Sequence, residues 1–260
     1  MSFSFCRESL DKIYSLYNRR EYVHPDPIEF LYNYPKIEDR EIAGLIASSL
    51  AYGRVKQILK SVGKVLDIIG QSPRDYVFNR PEAYIRKDFI EFKHRFTTGD
   101  DITEMLIAIA EVIGEFGSLN QFFLSGHHEN NDLILPALGN FIGGINLGNS
   151  NSSHLLPSPV KKSACKRPLL YLRWMIRHDD VDPGGWHGVS QSKLLLPLDT
   201  HMYKICRKFG LTDRKQANLK TVLEITKKFS EICPEDPVKY DFALSRFGIR
   251  DELDYDCIIN

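Results

Sequence analysis

A chain of 260 residues with 43% hydrophobic content is long enough to bury a sizeable core, as one large domain or two intimate subdomains. No apolar run is long enough to span a bilayer, and the opening MSFSFCRESL lacks a basic stretch followed by an apolar one. A cytoplasmic protein with no membrane partner is therefore expected. Five cysteines with no CxxC pair argue against a disulfide framework and against a zinc or iron–sulfur site, so neither a metal nor a cofactor is expected.

The formal net charge of zero conceals an uneven distribution. Between Phe96 and Val160 there is no Lys or Arg, while seven acidic residues fall there. Between Lys161 and Lys220, 13 basic residues face 5 acidic ones, a surplus of 8. Such a zone is the electrostatic footprint of a phosphate-backbone binder, or else a solvated face balanced by the acidic segment.

Helical spacing dominates the chain. After a helix over 8–18, His24-Pro25-Asp26 forms a capped turn ahead of a short helix at 28–33. Ile42, Leu45, Ile46 and Leu50, and then Ile58, Val62, Val65, Leu66 and Ile69, repeat at i, i+3, i+4, i+7. Gly53 interrupts that periodicity within AYGRVKQ, a junction that offers Tyr52, Arg54 and Lys56 to a ligand. Asp100-Asp101 caps a helix carrying Ile102, Met105, Leu106, Ile109, Val112 and Ile113. Further helices are predicted at 118–125, 133–144, 168–178, 200–209, 216–232 and 236–247, with loops at 143–162 and 179–192. No sustained alternating run occurs, so the fold class is all-α.

Three places carry candidate chemistry. Asp199 precedes an apolar stripe of Met202, Ile205, Cys206 and Phe209, so Asp199 or Thr200 is the N-cap. A carboxylate there is favoured as an anion by the helix dipole and the backbone N–H groups. His201, Lys204 and Arg207 on the same helix are placed to contact phosphates. Pro168 is tolerated only in a first turn, which starts the helix around Cys165 and puts Lys166 in that turn. To act as a nucleophile, such an amine must be desolvated or lie beside other cations, and Lys162 and Arg167 are neighbours of the right sign. The plainer alternative for Lys166 is a phosphate contact. Pro183-Gly184-Gly185 turns the second loop and presents Trp186, either for stacking on a planar ligand or as an aromatic lid on the core.

The segments LPLDTHMYKICRKFGL, 196–211, and ITKKFSEICPEDPVKYDFALSRFGI, 225–249, resemble the helix-hairpin-helix (HhH-GPD) superfamily of base-excision DNA glycosylases. The likeness falls residue by residue on Asp199, His201, Arg207 and Gly210, and more loosely on REIAGLIASSLAYGRVKQIL, 40–59. The blocks HPDPIEFLYNYP, KSACKRPLLYLRWMIRHDDVDPGGW and PLDTHMYKI also resemble an uncharacterised bacterial family (DUF2400-like). The resemblance implies a two-lobed helical fold, with approximately 1–40 plus 163–260 in one lobe and 41–145 in the other. It implies double-stranded DNA as partner and hydrolysis of the N-glycosidic bond of a flipped damaged base. It makes Asp199 the catalytic carboxylate, Lys166 a catalytic lysine conferring lyase activity, and Tyr52 and Trp186 the base pocket. Arg54, Lys56, Lys162, Ser163, Arg167, His201, Lys204 and Arg207 become the DNA contacts. The segment SPVKKSACKRPLLYLRW, 158–174, stands where the superfamily has a glycine-bearing hairpin, and it has neither glycine. A non-catalytic nucleic-acid binder that kept the fold is the alternative. A metal-dependent hydrolase built on His24, Asp26, Asp179, Asp180, Asp182 and His201 is a third reading.

Overall fold

The computed structural model describes residues 5–145, 154–250 and 253. It is all-α apart from one short hairpin. The helices are α1 (Arg7–Tyr17), α2 (Ile37–Ser49), α3 (Val55–Ile69), α4 (Pro73–Asn79), α5 (Glu82–Phe89), α6 (Gly99–Phe116), α7 (Leu119–Ser125), α8 (Leu135–Ile145), α9 (Lys166–Ile176), α10 (Thr200–Lys208), α11 (Leu219–Ile232) and α12 (Asp241–Ile249). Strands β1 (Lys93–His94) and β2 (Thr97–Thr98) pair antiparallel between α5 and α6. Cys257 and the loop residues 146–153 lie outside the described residues.

Local chemistry sets the boundaries. Asp199, Asn218, Ser118 and Ser72 each cap the helix that follows by accepting from a backbone N–H. Helix α6 starts earlier than its two aspartates imply. Thr98 is the N-cap and Asp101 closes a capping box by accepting from the Thr98 backbone N–H at 2.7 Å. The predicted helix at 28–33 is a 3-10 helix, Pro27–Asn33, capped by Asp26. Helix α9 ends at Ile176, two residues before the predicted end, because Arg177 turns extended and its guanidinium is held by carboxylates. Helices α4 and α5 and the β1–β2 hairpin were not predicted from periodicity.

Helix α2, nearly all buried, packs against α9 and the Pro27–Asn33 turn. Its small residues permit close approach: a Cβ on Gly44 would sit 3.3 Å from Leu31 and Tyr171. Tyr171 on α9 donates to the Glu41 carbonyl at 3.0 Å, and Trp174 and Met175 are fully buried beside it. The 179–192 loop folds back onto this pair. Gly185 has φ +126°, and a Cβ there would fall 1.9 Å from Ile37 Cδ1, so only glycine fits. The buried apolar residues form one contiguous cluster that includes residues from both predicted lobes.

Candidate functional site

Beneath the site lies a buried ionic network. Arg173 and Arg177, four residues apart on and just after α9, both bind Asp182, which is fully buried. Arg173 also holds Asp241 at the start of α12, and Arg177 holds Asp179 and Asp236 at 2.9 Å each. Arg246 on α12, 1% exposed, binds Asp26 at 2.8 Å. Burial pushes the Asp241 carboxyl up to about 6, against the pull of Arg173 and with the added repulsion of Asp199. Burial likewise raises Asp182, although two guanidiniums oppose it.

Above this network opens a cleft of about 740 Å³. Its wall joins the α2–α3 junction at Tyr52, Gly53 and Arg54, the first turn of α9, the Pro197–His201 entry to α10, and α12. Lys166 and Asp199 both line it, with Lys166 Nζ 4.0 Å from Asp199 Oδ2. Neither is lost to the core: the Lys166 side chain is 33% exposed and that of Asp199 19%. The local sequence explains the arrangement. Asp199 Oδ1 accepts from Met202 N at 2.8 Å as N-cap, which turns Oδ2 outward. Lys166 is the first residue of α9, and its amine also donates to the Ala51 carbonyl at 3.4 Å, at the end of α2. An amine and a carboxylate on two helix starts thus meet in one water-accessible cavity, an arrangement able to hold an anion, shuttle a proton or attack an electrophilic carbon.

The remaining predicted residues divide. Tyr52, Arg54 and His201 line the cleft with the pair, and Arg54 is exposed. Tyr52 is fixed by a hydrogen bond to the His94 carbonyl and stacks on Phe96, with centroids 5.0 Å apart. Lys56, Lys162, Lys204 and Arg207 are exposed and do not line the cleft. Lys162 has a left-handed backbone, φ 57°, and Ser163 beside it bridges to Asn218, so this hairpin abuts the start of α11.

Two predicted roles do not match the geometry. Trp186 is 4% exposed, lies away from the cleft, donates its indole N–H to Glu41 at 3.0 Å and packs on Phe123 and Tyr171. It is the aromatic lid, not a wall for a base. Arg167 turns inward and donates to the carbonyls of Ser49 and His154, with its guanidinium 4.8 Å over the Tyr52 ring. Burial lowers it to about 10, and both terminal nitrogens are engaged by backbone carbonyls. The basic 161–220 zone also shrinks, since Arg173 and Arg177 are buried among carboxylates and Arg214 pairs with Glu224. As for the hydrolase reading, Asp26, Asp179 and Asp182 are bound by guanidiniums. Among the described residues no group of three or more His, Cys, Asp or Glu is arranged to hold a metal ion.

Sequence reasoning missed Arg173, Asp241 and Arg246 as cleft residues. A signal was present: Arg173 and Arg177 interrupt the apolar run LLYLRWMIR and are followed, after His178, by DDVD, a pattern of buried pairing rather than of a solvated face.

A family model described as "Protein of unknown function (DUF2400)" matches residues 26–250. That span holds every residue that lines the cleft except Pro25. No curated protein and no solved structure matches the chain. No helix among the described residues is long and apolar enough to cross a membrane.

Proposed function

The chain belongs to the DUF2400 family of unknown function, and from that premise we propose that it is a DNA base-excision glycosylase with lyase activity, of the helix-hairpin-helix type. The observation that carries this reading is the 4.0 Å separation of Lys166 Nζ and Asp199 Oδ2 in one cleft. A sugar C1′ set beside the pair lies within reach of both. The cleft is also large enough to receive an extruded nucleotide, which chemistry on a base requires.

In this reading Asp199 stabilises the positive charge that develops on the sugar as the C1′–N bond breaks. The base leaves with the bonding electrons and takes up a proton. The neutral Lys166 amine, its proton accepted by Asp199 or solvent, bonds to C1′. Cleavage of C1′–O4′, with protonation of O4′, gives the imine. Loss of a C2′ proton then expels the 3′ phosphate, and water releases the lysine. Helix α8, the Pro159–Lys161 turn and α9 would serve as the helix-hairpin-helix. In support, Lys162 and Cys165 adopt φ of 57° and 49°, backbone conformations that favour glycine. The missing glycines equally favour the second reading, a binder without turnover.

The test is release of base from a panel of lesion duplexes by the wild-type protein and by Asp199→Asn. Asparagine caps a helix as well as aspartate, so this variant removes the charge and keeps the cap. Release should fall at least about a hundredfold. Salt-dependent binding with no release by either protein would instead establish the non-catalytic reading.

A further inference from the structure

Three carboxylates line the cleft, and two of them have both oxygens engaged. Asp26 has one oxygen on Arg246 and the other on Ile28 N. Asp199 caps α10 with Oδ1 and turns Oδ2 to Lys166. Asp241, the first residue of α12, differs. Its Oδ2 accepts from Arg173, while Oδ1 has no partner among the described residues and is not one of the polar atoms sealed from solvent. The side chain is 5% exposed where it lines the cleft, so Oδ1 is the oxygen left for a bound molecule. Its place along the wall matters. Lys166, Leu170 and Arg173 share one face of α9 and all line the cleft, and the rise from Lys166 to Arg173 is about 10 Å. Lys166 marks the open end of this face, and the buried Arg173 holds Asp241 at the inner end. A sugar beside the Lys166–Asp199 pair therefore leaves the inner end, with Asp241, to the base it carries.

Resting on the glycosylase reading of the cleft, we propose that Asp241 is the general acid of the reaction, donating from Oδ1 the proton that the departing base takes up. As C1′–N breaks, its electron pair moves onto the base. The Oδ1–H bond of Asp241 breaks as a bond from that hydrogen to the base forms. Asp241 is left as a carboxylate on Arg173 and regains a proton from solvent once the base has gone. A separate acid is needed here, because Asp199 must be anionic to stabilise the sugar cation and Lys166 must be neutral to bond to C1′. The surroundings suit Asp241 to this work. Burial raises its carboxyl to about 6, with repulsion from Asp199 and Asp182 and against the pull of Arg173, which lets it hold a proton and give it up near neutral pH. The other ionisable groups around it are Cys206 of α10, whose thiol is raised by its own burial and by both aspartates, and Arg246 of α12, lowered by burial. On α1, which also packs against α12, Tyr14 binds Asp179, and Asp11 binds Lys239 and Tyr240.

The experiment measures single-turnover base release by the full chain and by Asp241→Asn, on duplexes that each contain one uracil, hypoxanthine, 8-oxoguanine or 1,N6-ethenoadenine. Asparagine keeps the size and an oxygen for Arg173 but has no proton to transfer. At about pH 6 the variant should release base at least about a hundredfold more slowly than wild type. From about pH 6 to about pH 8 wild-type release should fall roughly tenfold or more as Asp241 loses its proton, while the variant stays nearly flat. Release by Asp241→Asn as fast as wild type, or falling in parallel with it, overturns this inference and leaves the glycosylase reading standing. Release from no duplex by either protein overturns the glycosylase reading, and the inference with it. An abasic-site duplex has no base to protonate, so the two proteins should bind it equally. A loss of that binding as large as the loss of release would mark Asp241 as structural and overturn its assignment as the acid.

Discussion

Replacing Asp182 with alanine probes the network on which the cleft rests. Asp182 is fully buried and binds both Arg173, at 3.2 Å from Nε, and Arg177. Removing one partner of a buried ion pair costs about 3–5 kcal/mol, because the charge left behind is uncompensated. Here both arginines keep other carboxylates, Asp241 for Arg173 and Asp179 and Asp236 for Arg177, which places the loss near about 3 kcal/mol. For a chain of this size that corresponds to a fall in Tm of roughly 6–12 °C. Urea titration followed by far-UV circular dichroism should show the midpoint moving down by about 1 M or more. Asp180→Ala, two residues away and exposed, is the control and should stay within about 0.5 kcal/mol of wild type. If Asp182→Ala were as stable as Asp180→Ala, the network would not carry the stability argued for it, and the fixed guanidiniums of the cleft wall would lose their support.

Other expectations concern separate parts of the molecule. Glu41 accepts from Leu119 N, Asn120 N and the Trp186 indole. Glu41→Ala should therefore destabilise by roughly 3 kcal/mol or more and shift tryptophan emission, with Glu41→Gln intermediate by the same denaturation assay. Because burial raises Asp241 to about 6, the fold favours its protonated form. Its contribution to stability is present below the ordinary carboxylate range and is lost as pH rises through about 6. Between about pH 4 and pH 7 the stability of wild type relative to Asp241→Asn should therefore fall by on the order of 1–3 kcal/mol, and a flat difference in denaturant titrations would contradict this. Arg54→Ala and Lys56→Ala should each lower the slope of log affinity against log salt for duplex DNA by about one, as measured by fluorescence anisotropy, with no change in folding.

Where the sequence carried a repeating physical signal, it was legible. The apolar stripes of α2, α3 and α6 appear where i, i+3, i+4 spacing put them, and Pro168 correctly placed Lys166 in the first turn of α9. Strands of two residues are too short to alternate, so the β1–β2 hairpin left no pattern to read. The meeting of Lys166 with Asp199 depends on how α9 and α10 pack, which spacing along the chain does not encode. Trp186 and Arg167 were ambiguous for a related reason. An aromatic lid and a stacking platform have the same composition, and a cation facing carbonyls looks in sequence like a cation facing phosphates. Arg173, Asp241 and Arg246 were hidden because residues far apart in the chain neutralise one another only after folding.

The central claim is that Lys166 and Asp199 act together on a sugar C1′ in the cleft. Borohydride reduction of the full chain mixed with a lesion duplex tests it directly, with peptide mapping of any covalent product. The account predicts an adduct on Lys166, lost in Lys166→Ala and strongly reduced in Asp199→Asn. Base release with no adduct, or an adduct on any other lysine, would contradict it.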